Sequence, residues 1–358
     1  MIISQMRLHP VAVADGPLRS SYGRHAPYAL RTIVELKTTD GLTGISETYG
    51  GDGPLAALEA ARNLVEGRDP FQLTDLWMSL AARAEQEAHG DRSQTMLVPG
   101  ENPLDVHTRT FAALEVACLD LIGKALNKPL CDVVGGRARS KPPFSAYLFY
   151  KHGGGGGMGA DEREDEYGEC LDAPSMVRQA RQMIAKYGFE EIKLKGGVLD
   201  PDEEIETIRL LRAEFGDKYP LRIDPNCAWS VDTSVRVGRE LKEELSGGGY
   251  LEDPTATMEG MAEARRRLLA EGIDTPLASN VATTCFEHLP VAKQLDAVQI
   301  VLSDPHYWGG IRAQQHLSKF AEVLRMGLSM HSNNHLGVSM MIMRSEEHTS
   351  ELQSRQYL

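Results

Sequence analysis

Hydrophobic and polar positions along the chain follow two textures that change near residue 143. In the first part, "VAVADGPL" and "LRTIVELKTTDGLTGISETYG" read as strands, with Asp40-Gly41 as the turn of a hairpin. "LAALEAARNLVEG" and "AALEVACLDLIGKALN" space apolar residues by three and four, which is the period of an amphipathic helix. Residues 1–135 are therefore expected to form an α+β domain. The Gly- and Pro-punctuated stretch "KPLCDVVGGRARSKPP" then reads as a linker.

From residue 143 to residue 343, short apolar runs alternate with amphipathic helical stretches. "FSAYLFY", "FEEIKLK", "LRID", "GGYLED", "TPLASN", "AVQIVL" and "LSMH" make seven strands with helices between them, the pattern of repeated βα units on a parallel sheet. Within "EEIKLKGGVLD", residues 190–200, strand alternation puts Lys193 and Lys195 on one face and Ile192 and Leu194 on the other. An isolated pair of this kind usually marks the wet face of an edge strand. Here the strand ends form a series: Lys195, Asp224, Glu252, Asn280, Asp304 and His331 follow one another at 29, 28, 28, 24 and 27 residues. A (β/α)₈ barrel devotes roughly 31 residues to each unit and gathers its strand C-termini at one mouth, where active sites are built. The expected fold is α/β: a (β/α) barrel of about seven strands behind an N-terminal α+β domain.

Composition narrows the function. The 358 residues carry a formal net charge of −13, so nucleic acid and anionic membrane are excluded as principal partners, and any bound anion must meet local cations. The five cysteines (Cys118, Cys131, Cys170, Cys227 and Cys285) never form CxxC, and the N-terminus "MIISQMRLHPVAV" lacks a signal-like apolar run. A reducing, cytoplasmic setting is expected. A homo-oligomer is compatible with these features.

The strand-end residues supply the chemistry. Asp224, Glu252 and Asn280 offer oxygen ligands from three neighbouring strands, a set suited to Mg²⁺ with positions left for water or substrate; Glu259 is an alternative to Glu252. Each acidic residue alone reads better as a helix cap, but three at one regular step do not. A lysine crowded by another cation and partly desolvated should have a lowered pKa, so Lys195 is the candidate base and Lys193 an electrostatic stabiliser. Asp304 lies one βα unit before His331 and is placed to orient its imidazole. In "HSNNH", His331 and His335 could form a two-histidine metal site only on a helix; His331 instead ends a strand, so His335 is expected to line the loop.

These pieces resemble the enolase superfamily. The similarity lies in its mandelate racemase-like branch and its glucarate dehydratase-like members, over residues of about 1–343. It is carried by "HAPY" at His25, "AYLFY" at Tyr147, "KLKGG", "DPNCAW", "LEDP", "ASN", "SDPHYW" and "HSNNH", taken in order. The resemblance implies Mg²⁺-dependent elimination of water from D-glucarate, L-idarate or a related aldarate, giving 5-keto-4-deoxy-D-glucarate. It implies that Lys195 takes a proton on one face and His331 acts on the other. It places His25, Tyr147, Lys193, Asn226, Asn280, Ser332 and Asn333 at the substrate, with the first domain capping the barrel mouth. A racemase or epimerase with the same site, and a non-catalytic aldarate-binding protein, are the alternatives.

Two stretches fit none of this. The run "GGGGGMG", residues 153–159, lacks the GK[ST] of a phosphate loop and is expected to be a mobile loop. After "HLGVSMMIMR", the polar "SEEHTSELQSRQYL" carries no apolar stripe, so residues 344–358 read as a foreign tail. Seven strands do not close an eight-stranded barrel, and exposed sheet edges are expected.

Overall fold

The structure, a computed structural model, describes residues 1–87 and 106–347. The chain opens with β1 (Ile3–Ala14), the two-residue strands β2 (Arg19–Ser20) and β3 (Gly23–Arg24), then β4 (Tyr28–Thr38) and β5 (Thr43–Tyr49). β1, β4 and β5 form an antiparallel sheet with β4 in the middle, and the β4–β5 hairpin turns at Asp40-Gly41 as expected. Helices α1 (Asp52–Ala60), α2 (Arg62–Val65), α3 (Leu73–Glu87), α4 (Val106–Leu126) and α5 (Leu130–Val133) follow. The stretch expected as one helix from Leu55 breaks at Ala61, between α1 and α2. Val34 and Leu36 of β4 and Leu114, Ala117 and Leu121 of α4 form the centre of this domain's core.

The second part is a sequential series of βα units. It runs β6 (Ser145–Phe149), α6 (Ala173–Tyr187), β7 (Glu191–Lys195), α7 (Pro201–Phe215), β8 (Leu221–Asp224), α8 (Val231–Glu240), β9 (Tyr250–Glu252) and α9 (Met258–Ala270). It continues with β10 (Leu277–Ser279), α10 (His288–Gln294), β11 (Ile300–Ser303), α11 (Pro305–Trp308), α12 (Ile311–Leu324), β12 (Gly327–Met330) and α13 (Gly337–Glu347). Seven parallel strands lie side by side in chain order, from β6 at one edge to β12 at the other. Residues 344–347 complete α13. The rest of the segment expected to be foreign, residues 348–358, lies outside the described residues.

Alternation sorts each strand. Ile192, Leu194, Leu221, Ile223 and Leu251 point outward into the core beneath the helices. The inward set stacks in layers: Glu191 and Arg222 pair at 2.5 Å near the N-terminal end, and Arg222 lies 4.7 Å over the Tyr250 ring. Above them, the register aligns Tyr147 with Lys193, and Phe149, Lys195 and Asp224 with one another. The helices are capped where the sequence offers a short polar side chain: Asp172, Asp200, Ser230 and Thr257 each accept a backbone N–H at the start of α6, α7, α8 and α9.

The glycine run is built into the fold rather than free. Lys151, 5% exposed, pairs with Asp165 at 2.8 Å, and Asp165 also accepts the N–H of Gly154. Gly157 donates its N–H to Pro27 O at 2.8 Å in the first domain. At Gly156 the backbone has φ +85°, and a Cβ there would stand 1.9 Å from Asp15 O, so only glycine lets the loop lie on the capping segment.

Candidate active site

Six strand-end residues expected to converge do so at the C-terminal rim of the sheet. Lys195 Nζ lies 2.8 Å from Asp224 Oδ2, and Lys193 Nζ lies 3.3 Å from the same oxygen and 2.5 Å from Glu252 Oε2. Tyr147 donates its hydroxyl to Asp224 Oδ2 at 2.8 Å, with Lys193 Nζ 4.5 Å over its ring. Lys193, Lys195, Asp224 and Glu252 are buried, and Tyr147 is half-buried beside them. The two glycines that end the "KLKGG" strand let it turn tightly there: Gly197 has φ +71°, and a Cβ on it would meet Pro225 O at 2.3 Å. Glu204 of α7 then secures the turn by accepting the N–H groups of Gly197, Val198 and Leu199 at 2.8–3.0 Å.

Electrostatics in this cluster are set by its carboxylates and ammonium groups together. Burial acts to lower Lys193, but Glu252 and Asp224 outweigh it and hold its ammonium above the ordinary lysine range. Carboxylates and not Lys195 dominate its surroundings, which suits the stabiliser expected at this position. Burial also acts to raise Asp224, yet Lys195 and Lys193 keep it well below the usual carboxylate range. Glu252 is pushed up to about 8, first by burial and then by Asp224, with Lys193 opposing.

That strain, together with the donor set, fits a divalent cation. Glu252 Oε2 is a buried oxygen whose close partner among the described residues is the Lys193 ammonium. One atom of the Asn280 amide lies 3.2 Å from Glu252 Oε1 and 2.9 Å from Asp253 Oδ2, and the other lies 3.2 Å from His331 Nε2. Turned nitrogen-first, the amide donates to both carboxylates. Turned oxygen-first, it forms a cluster of oxygens that only a cation stabilises, at about the 3 Å separation of neighbouring ligands around Mg²⁺. Glu259, the alternative ligand, stands exposed in the first turn of α9 and makes none of these contacts.

At the far edge of the sheet, His331 Nδ1 lies 3.0 Å from Asp304 Oδ2, so the expected pair is formed across β11 and β12. Burial opposes ionisation of Asp304, but His306, His331 and His335 hold it well below the usual range. An ionised Asp304 accepts from Nδ1–H and leaves Nε2 of His331 facing Asn280. His335 is buried beside Tyr49 and His306, as a loop-lining residue. With Asp304 and His306 it brings three ligand-type atoms within 4.8 Å, although His331 is not among them.

The remaining expected residues frame the cavity. Asn226 is buried after β8 with φ +50°, next to Cys227 at φ +67°; these two consecutive left-handed residues strain the backbone beside Asp224. Ser21 of the first domain donates to Asn226 O at 3.3 Å, tying the capping segment to this turn. His25 is half-buried, 3.3 Å from Asp15 Oδ2 and edge-on to Phe149. Ser332 is half-buried and Asn333 exposed in the loop after His331. Sequence reasoning missed Asp253, which is fully buried and accepts the N–H groups of Asn280 and Val281 at 2.9 and 3.2 Å, fixing the turn that carries Asn280. Burial pushes its carboxyl up to about 6. The doublet Glu252-Asp253 was the available signal, since successive strand residues face opposite sides. His306 and Tyr49, which both touch Asp304, were missed as well.

Comparison with known proteins agrees with this architecture. Residues 3–135 match the mandelate racemase / muconate lactonizing enzyme N-terminal domain, and residues 175–349 match the enolase C-terminal domain-like family. A probable glucarate dehydratase of Streptomyces coelicolor is 40% identical over 346 residues, spanning 96% of this chain and 78% of that protein. An enolase from Pseudomonas fluorescens Pf0-1, solved with magnesium, potassium and tartrate, superposes with a TM-score of 0.90 at 39% identity, covering 98% of this chain and 80% of that one. Another from Thermobispora bispora, solved with magnesium and formate, gives a TM-score of 0.89 at 41% identity, with 98% and 80% covered. No helix among the described residues is long and apolar enough to cross a membrane. With both domain signatures in order and relatives aligned over nearly its whole length, the chain belongs to the enolase superfamily, in the branch of mandelate racemase and muconate lactonizing enzyme.

Proposed function

We propose that this enzyme is an acid-sugar dehydratase acting on an aldarate, D-glucarate or its C5 epimer L-idarate, with 5-keto-4-deoxy-D-glucarate as product. The observation that carries the reading is the pairing of two bases with one oxygen cluster: Lys195 touches Asp224, and His331, held by Asp304, faces Asn280. The named relative from Streptomyces coelicolor and the magnesium- and tartrate-bound structure support the same substrate class, since tartrate is itself a hydroxy diacid. The domain bounds used in this reading are 1–135 for the cap and 143–343 for the barrel, with 344–358 as a tail.

Asp224, Glu252 and Asn280 would hold Mg²⁺, which supplies positive charge to the substrate carboxylate and so stabilises the enediolate left by proton loss. Lys193 places a fixed ammonium beside that carboxylate; its raised pKa keeps it charged, which suits a stabiliser rather than a base. Lys195, as the free amine, takes the proton next to the carboxylate of one epimer while His331 stands protonated on the opposite face. For the other epimer His331 starts unprotonated at Nε2 and takes the proton itself. The electron pair freed at that carbon expels the neighbouring hydroxyl, which leaves as water with a proton from His331. The enol that remains tautomerises to the keto acid. His25, Tyr147, Asn226, Ser332 and Asn333 would bind the rest of the diacid, with His25 reaching its far end from the cap.

The test is incubation of the protein with Mg²⁺ and each epimer in D₂O. A 2-keto acid product labelled at its new methylene, with deuterium at the acidic carbon of the recovered substrate, supports the reading; neither product nor deuterium sinks it. Bases on two separate strands also suit epimerisation. That outcome would give deuterium exchange and interconversion of the epimers without loss of water.

A further inference from the structure

Asp304 is held from the capping domain as well as from the barrel. Its Oδ1 accepts the backbone N–H of His306 at 2.9 Å and faces His306 Nδ1 at 2.6 Å. Its Oδ2 is shared by His331 Nδ1 at 3.0 Å and the hydroxyl of Tyr49 at 3.2 Å. Tyr49 ends β5 of the first domain, stacked on Tyr307 at 5.1 Å and with the Arg31 guanidinium 4.4 Å over its ring. Against an ionised carboxylate the phenol has one role, that of donor.

The same strand grips the other end of the loop that carries His331. Glu47, two residues before Tyr49, pairs with Arg31 at 2.8 Å, both side chains being at most 1% exposed. Its carboxylate accepts the N–H groups of Leu336 at 2.8 Å and Ser339 at 2.9 Å, and its backbone C=O faces His306 Nε2 at 3.1 Å. Arg31 reaches Ser339 Oγ at 3.2 Å. A buried ion pair contributes little net stability, so the observable consequence of this one is geometric. It fixes residues 336–339 to β5, while Tyr49 fixes Asp304 to the same strand. Among the described residues, no hydrogen bond or ion pair joins Lys195 to Tyr49 or to the Glu47–Arg31 pair.

We infer that Tyr49 is a positioning residue for the Asp304–His331 pair, so that proton transfer on the His331 face depends on this hydroxyl from the capping domain while transfer on the Lys195 face does not depend on it. This rests on the two-base reading above. Tyr49→Phe removes only the hydroxyl and keeps the ring between Tyr307 and Arg31. Deuterium exchange is measured on D-glucarate and L-idarate, whose acidic protons at C5 lie on opposite faces. Exchange on the His331 face should fall about tenfold or more, the scale of one hydrogen bond to a charged group, with the Lys195 face changed by less than about twofold. Equal loss on both faces, or loss on neither, overturns the inference.

An independent readout is the proton magnetic resonance of the His331 Nδ1–H bound to Asp304, identified by its disappearance in His331→Asn. Tyr49→Phe should shift it, and an unmoved signal overturns the inference. If the wild type exchanges on neither face, the proposed reaction fails, and the resonance decides the positioning of His331 alone.

Discussion

Glu115 offers a test of how the two domains are joined. It lies in α4 with its side chain fully buried, and its Oε2 accepts the N–H of Ile311 at 2.7 Å at the start of α12. A carboxylate at a helix N-terminus is favoured by the local dipole. Burial outweighs that and pushes its pKa from 4.5 up to about 7, against the opposing pull of Ile311 and Arg312. An acid whose folded pKa is raised stabilises the fold most below its unfolded pKa, and that contribution is lost as pH rises through the folded value. The gap corresponds to about 3 kcal/mol in full, of which about 2.5 kcal/mol falls between pH 5 and pH 8.5. Glu115→Gln keeps an oxygen for Ile311 and removes the charge. Its new amide NH₂ takes the place of Oε1, which has no hydrogen-bond partner, at a cost of about 1–3 kcal/mol that is the same at every pH. The informative quantity is therefore the slope. Urea unfolding of both proteins across this range should show the variant gaining about 2.5 kcal/mol on the wild type as pH rises. A difference that stays flat within about 0.5 kcal/mol would refute the reasoning.

Three further outcomes are expected. Lys195→Ala should abolish exchange on one face of the aldarate by at least about a hundredfold while His331-dependent exchange survives, and His331→Asn should do the reverse; loss of both faces in either variant would reject two independent bases. Because Glu252 is pushed up to about 8 without a cation, Mg²⁺ binding at pH 7 should release close to one proton, falling to about a tenth at pH 9. Calorimetry in buffers of different ionisation enthalpy measures this, and no release at pH 7 would remove Glu252 from the ligand set. Gly156→Ala, which sets a Cβ against Asp15 O at a positive φ, should destabilise by about 1–3 kcal/mol and raise KM by loosening the segment that carries His25. An unchanged melting temperature would show that the loop is not pinned there.

The chain pattern alone determined the α+β cap, the seven parallel strands and the rank of polar residues at their ends. The physical reason is that these depend on periods of two and near four and on a step of one βα unit, which are local. The pairing of His331 with Asp304 and the gathering of Asp224, Glu252 and Asn280 followed from the same step, since equal spacing places each residue at one rim. The direction of the Lys193 shift did not follow, because it depends on Glu252 lying 2.5 Å away, a distance set by how strands 59 residues apart twist together. The glycine run looked free because its neighbours in sequence are polar, yet its partners are Pro27 and Asp15 in another domain. Tyr49, Glu47 and Arg31 were silent for the same reason. Nothing beside them in the chain distinguishes them, and only the packing of β5 against the loop between β12 and α13 turns an ordinary strand end into a support for Asp304.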